Sequence, residues 1–161
     1  MEAGLKRFLE QRYDARRWHG RGGRGQPVIS GFDFAGSELR GWTLVRARRD
    51  ARARPPVVRA LWRRGESADE LLALDVFECA SVKAAHDQLI EALGNMESPA
   101  VKRQTEKNAV GDVAFALAGS MVLFSRGNLV VLIRNAGPKV VQVTTVAREI
   151  DALLVRRLQG K

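Results

Sequence analysis

From residue 42 onward the chain alternates polar and apolar positions with a period of two, the pattern of a strand with one buried face. Residues 42–49 set Thr43, Val45 and Ala47 against Leu44, Arg46 and Arg48. Residues 57–63 set Val58, Ala60 and Trp62 against Val57, Arg59, Leu61 and Arg63. Between them, Pro55 and Pro56 remove backbone donors and force a loop. The pattern predicts a hairpin with one apolar and one arginine-rich face. Residues 70–79 are apolar on both faces, as in a central strand. Ser81 is placed to cap a helix running to about residue 93 and ended by Gly94 and Asn95. Its buried stripe is Val82, Ala85, Leu89 and Leu93.

The second half repeats the scheme. Residues 112–118, 120–126 and 129–134 read as strands, with Gly127 and Asn128 supplying a two-residue turn between the last two. A closing helix over about 141–157 buries Val143, Val146, Ala147, Ile150, Leu153 and Leu154. Its β-branched start at 140–146 is equally compatible with extended backbone. The polar connector 98–108 is a candidate edge strand. The order, strand-strand-strand-helix twice, predicts an α+β domain with a twisted, mostly antiparallel sheet of about six strands packed by helices.

Ahead of this body, residues 5–17 have helical spacing for Leu5, Phe8, Leu9 and Arg12, an apolar stripe thin enough to dock weakly or fray. Residues 18–27 are glycine-rich and read as a flexible linker. The expected organisation is therefore an N-terminal appendage over 1–27 and one domain over 28–161.

Composition changes this picture little. The chain has 161 residues, 45% hydrophobic and 28% charged, values of a globular protein. No apolar run approaches the ~20 residues of a membrane-spanning helix. The N-terminus has no signal-peptide pattern, so a cytoplasmic protein is expected. One cysteine, Cys79, excludes an internal disulfide, and with only His19 and His86 beside it a structural zinc site lacks ligands.

Charge matters more. The formal net charge is +9, and it is blocked: residues 40–64 carry nine arginines against Asp50, whereas residues 65–100 carry Lys83 against eight acids. A basic block of this kind suits a polyanion, although arginine-rich usage also follows from a GC-rich coding sequence. Arg46, Arg48, Arg59 and Arg63 fall on one face if the hairpin pairs as predicted, with Trp42 and Leu61 among them. Arginine forks beside an aromatic suit phosphates and bases. The competing readings are pairing with the acidic block and plain solvation. Asp75 and Glu78, acids in an apolar strand, are expected to take arginine partners from the hairpin.

Gly20-Arg-Gly-Gly-Arg-Gly25 has the spacing of a dinucleotide fingerprint, but no strand precedes it and Pro27 follows it, so a linker is the better reading. Arg21 and Arg24 in it are auxiliary candidates for polyanion contact. Cys79 with His86 and Asp87 is the sole set tempting a nucleophilic role, and a buried cysteine is more often core. No catalytic residue, metal ligand or cofactor is assigned.

Gly111-Asp112-Val-Ala-Phe, the stretch from Val122 through Arg126-Gly127-Asn128 to Leu132, and Val146-Ala-Arg-Glu-Ile-Asp151 together resemble small bacterial domains of the PsbP/LpqN-like and related sensor type. The resemblance covers about the last third of the chain. It implies an α/β sandwich used for binding or as an accessory subunit, and no functional residue carries over. The expected function is thus a non-enzymatic binding or accessory domain, recognising a protein or small ligand through its sheet face or a helix–sheet cleft. The alternative is a polyanion-binding protein, for nucleic acid or acidic lipid, using the arginine hairpin.

Overall fold

Seven antiparallel strands form one open sheet in the order β1-β2-β3-β7-β6-β5-β4. The computed structural model describes residues 1–18, 27–107 and 109–160. The strands are β1 (Thr43–Asp50), β2 (Val57–Arg64), β3 (Glu70–Glu78), β4 (Lys102–Gln104), β5 (Val113–Leu117), β6 (Met121–Arg126) and β7 (Leu129–Asn135). The helices are α1 (Ala3–Arg12), α2 (Val82–Met96) and α3 (Thr144–Leu158). The two strand triplets meet where β3 pairs with β7, and the polar connector supplies β4 as a three-residue edge.

Local chemistry explains the elements. The Ser81 side chain accepts a hydrogen bond from the Ala84 N–H at 3.0 Å and starts α2, whose stripe Val82, Ala85, Leu89 and Leu93 is buried as the spacing predicted. The helix does not stop at Gly94. It runs on to Met96 and ends at Glu97, a residue in the left-handed region at φ 48°. Gly94 instead lets α1 approach: a methyl group there would sit 3.2 Å from Leu9 Cδ1. The β-branched stretch before α3 is non-helical, and the helix begins at Thr144.

The sheet is covered on both faces rather than backed on one. Trp62, Leu72, Leu74, Phe124, Val131 and Ile133 point to one side, where α3 packs Val146, Ala147, Ile150 and Leu154 together with Phe32, Phe34 and Leu39 of the 27–42 segment. Each of these large side chains contributes about 1.5–3 kcal/mol by leaving water. On the other side Phe115, Leu123 and Val130 meet Ala85, Leu89 and Leu93 of α2. The first helix is docked, contrary to its thin stripe: Leu9 and, beyond a short turn, Ala15 and Trp18 are buried in this second cluster. Leu5 and Phe8, expected on the same face, are exposed. The glycine-rich stretch expected as a linker lies largely outside the described residues.

The second cover is incomplete, and this positions the site. Helix α2 packs on β6 and β7, and α1 packs against α2. Tyr13 and Trp18 beyond α1 stack edge-on or tilted against Phe115 of β5, with ring centroids 4.9 and 5.8 Å apart. No described residue contributes a helix over the same face of β1, β2 and β3.

Candidate functional site

Strand register places the side chains of the bare half-sheet in rows. Arg48, Arg59, Asp75 and Leu132 face one another across β1, β2, β3 and β7. The next row is Arg46, Leu61, Ala73 and Arg134, and the next joins Thr43, Arg63 and Leu71. The four arginines expected to share a face therefore do so, with Leu61 among them. Trp42 does not belong with them. A register shift between Leu44 and Arg46 turns the start of β1 over, so that Leu44 pairs with Trp62 on the α3 side. Trp42 is buried there too, under the guanidinium of Arg64 at 4.9 Å from its ring centroid. Arg21 and Arg24 lie outside the described residues.

The acidic block neutralises part of the basic block, and it does so selectively. On the α3 side Glu78 accepts hydrogen bonds from Arg49 at 3.0 Å and from the Phe32 N–H at 2.9 Å. Burial pushes Glu78 up, but these bonds outweigh it and hold the carboxyl below its ordinary value. Glu70 takes Arg64 at 2.6 Å and Lys139 at 3.1 Å, and their hydrogen bonds bring it down to about 2. On the bare half, Arg46, Arg48, Arg59 and Arg63 make no ion pair with a described residue. Arg63 Nε is enclosed and has no hydrogen-bond partner there.

Asp75 sits in the middle of this face, 8% exposed. Burial pushes its carboxyl above the ordinary range, opposed by the charges of Arg134 and Arg59. Its ion pair, Arg134 Nη1 to Asp75 Oδ2 at 3.5 Å, comes from β7 and not from the hairpin expected to supply it. Arg134 thereby joins the site; residue alternation alone did not reveal it, because only the β3–β7 register aligns it with Ala73.

Around the half-sheet lie two clefts. One, of about 430 Å³, opens between the C-terminal end of α2 and the sheet, bounded by Met96, Val101, Leu117, Met121, Leu132 and Arg134. The other, of about 520 Å³, lies by Pro55, Pro56, Glu78, Ala84 and Gln88. The remaining candidate chemistry is built into the core. Cys79 is buried, and burial, aided by the Glu78 charge, pushes its thiol up to about 12, leaving it protonated at neutral pH. His86 is 2% exposed and packs edge-on against Trp18 at 5.4 Å. No group of three or more His, Cys, Asp or Glu with metal-holding geometry occurs among the described residues.

The motifs that carried the family resemblance form a structural clasp. Arg126 bonds Asp151 of α3 at 2.7 Å and Asp112 at 3.0 Å, while Asp151 accepts the Gly111 N–H and Asp112 the Gly127 N–H. Gly111 has φ +69°, and a side chain there would collide with the Ser125 carbonyl. Asn128 is buried and donates to the Ile29 and Cys79 carbonyls, anchoring residue 29 to the sheet. These residues fasten α3 and the 27–42 segment to the hairpin turn.

No family model matches the chain, and no curated protein or solved structure resembles it significantly. Fold and site together define an α+β domain whose antiparallel sheet is covered on one face and half-covered on the other. No helix among the described residues is long and apolar enough to cross a membrane.

Proposed function

We propose that this chain is a non-enzymatic binding or accessory domain, of the layered PsbP/LpqN-like kind, that holds an acidic partner on the uncovered half of its sheet. One observation carries the reading: Glu78 and Glu70 pair with Arg49 and Arg64 on the α3 side, whereas Arg46, Arg48, Arg59 and Arg63 lie together on the bare side, where Asp75 faces Arg59 but makes its ion pair with Arg134. Like charges directly opposite one another across a strand pair, as Arg48 and Arg59 are, destabilise a sheet. A bound anion relieves that repulsion.

Position, not total charge, is the claim to test. The chain with all four of these arginines replaced by alanine is compared with one in which exposed Arg7, Arg16, Arg17 and Arg148 are replaced instead. Fluorescence anisotropy with a labelled polyglutamate is expected to show at least ~10-fold weaker binding for the first and little change for the second, since each lost charge-assisted contact is worth about 1 kcal/mol or more. Equal losses in both sink the reading.

The second reading, a nucleic-acid or acidic-lipid binder, draws on the same arginine forks. Four phosphate contacts to duplex DNA correspond to a salt slope of about −3.6 in log affinity against log salt. A slope near zero removes it.

A further inference from the structure

We propose that the partner received on the bare half-sheet is an amphipathic helix of another protein, with large apolar side chains along one stripe and acidic side chains on the flank toward the arginines. This rests on the binding-domain reading and adds the shape and chemistry of the partner. Seven strands make this face about 29 Å wide, room for three covers of helix width (about 10 Å each), of which two are taken. The N-terminal segment lies over β5, with Tyr13 against Phe115, and α2 lies over β6 and β7. The third position lies over β3, β2 and β1.

Its walls are those of a helix slot. One flank of α2 is closed by α1, through the Lys6–Asp87 ion pair at 3.1 Å and the Leu9–Gly94 contact. Gln88, Ala92 and Met96 recur every fourth residue on the opposite flank, facing the bare half. The two clefts mark the ends of this flank, one at Ala84 and Gln88 and the other at Met96. From Ala84 to Met96 the helix rises roughly 18 Å, three turns. From β7 to β1 the sheet spans about 14 Å, three strand spacings, against a helix diameter of about 10–12 Å.

The floor is largely apolar and half-buried, formed by Leu61, Leu71, Ala73, Phe77 and Leu132, with the buried carboxylate of Asp75 in its middle held by Arg134. Met96 and Met121 in the cleft at one end are flexible enough to mould around an inserted side chain. Arg59 and Arg63 rise from β2 on either side of Leu61, with Arg46 and Arg48 of β1 beyond them, and acidic side chains on that flank of the incoming helix reach them. A single strand of nucleic acid fits less well. Among the described residues the bare half offers no exposed aromatic on which bases stack, Phe77 being half-buried and Trp42 on the other face. A second copy presenting the same face would oppose arginine to arginine.

The test selects displayed random peptides of about 16 residues against the full chain in about 0.3 M salt, where a screening length of roughly 5–6 Å suppresses bare charge attraction. Enriched peptides are expected to space apolar residues at i, i+3 or i+4, and i+7, with acids beside them, and to gain helical circular dichroism on binding. Their affinity is expected to fall at least ~10-fold for the chain carrying Arg59→Ala and Arg63→Ala, and comparably for Ala73→Trp, which fills the slot. Because the arginine variant leaves the apolar clusters intact, an unchanged melting temperature secures its fold. Enriched peptides without that pattern, or indifferent to both variants, overturn the proposal. A 20-nucleotide single-stranded DNA is run in parallel. If it binds and the arginine substitutions release it while no helical peptide responds, the helix is wrong and the acidic-partner site stands. If neither probe responds to the arginines, both fail.

Discussion

The two halves of the half-covered face are built from the same element, a three-stranded antiparallel unit, yet charge on that face is concentrated on only one of them. Under α2 and the N-terminal segment the rows read Val113, Ser125 and Val130, then Phe115 and Leu123, all buried and none charged. Beside them, on strands in the same register ladder, they read Arg46, Arg48, Arg59 and Arg63 around a half-buried apolar floor. A covered row excludes charge because a charged group there would lose its hydration. An uncovered row tolerates charge, and four arginines gathered around the carboxylate of Asp75 cost stability unless something outside the chain uses them. The contrast therefore separates residues that make the fold from residues that make the site.

The sharpest way to break this contrast is to truncate one side chain on each half. Phe115→Ala, under the N-terminal aromatics, is expected to lose about 3–5 kcal/mol, whereas Leu61→Ala on the bare half loses about 1 kcal/mol or less, read from urea unfolding midpoints. Comparable losses would mean that the bare half is core. Next in size is the clasp that holds α3. Asp151→Ala leaves the Gly111 N–H without its acceptor and Arg126 with Asp112 alone, and an expected loss of about 2 kcal/mol, discounted for the partial exposure of the pair, is measurable in the same way.

Acid titration sharpens the comparison further, because the two faces carry acids of opposite behaviour. Glu78 is held below its unfolded value, so its contribution is present above the unfolded value and is lost as pH falls through the folded one. Asp75 is raised, so the native state keeps its proton longer than the unfolded chain. Its favourable contribution is present below the unfolded value and is lost as pH rises through the folded one. Glu78→Gln is thus expected to flatten the acid-side loss of stability and Asp75→Asn to steepen it, in melting temperatures recorded from about pH 3 to 7. Slopes changing in the same direction would contradict the assignment.

The smallest effect is the most telling for function. Arg48→Thr removes one member of the like-charged cross-strand pair, and a change within about 0.5 kcal/mol, toward greater stability, is expected by calorimetry. A clear loss would give Arg48 a structural role.

Much of the fold was legible. Alternation in 57–63 sorted Trp62 from Arg63 correctly, Ser81 announced α2, and the spacing of Val146, Ile150 and Leu154 marked the buried stripe of α3. The site was legible in part: the four hairpin arginines share a face as the alternation required. Trp42 was misplaced because a bulge shifts the phase of β1, and no local residue type betrays an extra residue in a strand. Arg134 was missed because its alignment with Ala73 depends on β3 pairing with β7, strands about 60 residues apart in sequence. The docking of α1 was underestimated because its spacing shows only a thin stripe, whereas Ala15 and Trp18, which lie beyond its end, join Leu9 in the buried cluster.

What the sequence determined by itself is therefore local: which side chains share a strand face or a helix stripe, and where caps and prolines end an element. These follow from backbone geometry within a few residues. Which faces are covered, by which helix, and which arginines keep no acid were decided only by the tertiary structure. Those outcomes depend on pairings between distant segments, each competing for the same apolar surface, and no stretch of sequence encodes the result of that competition alone.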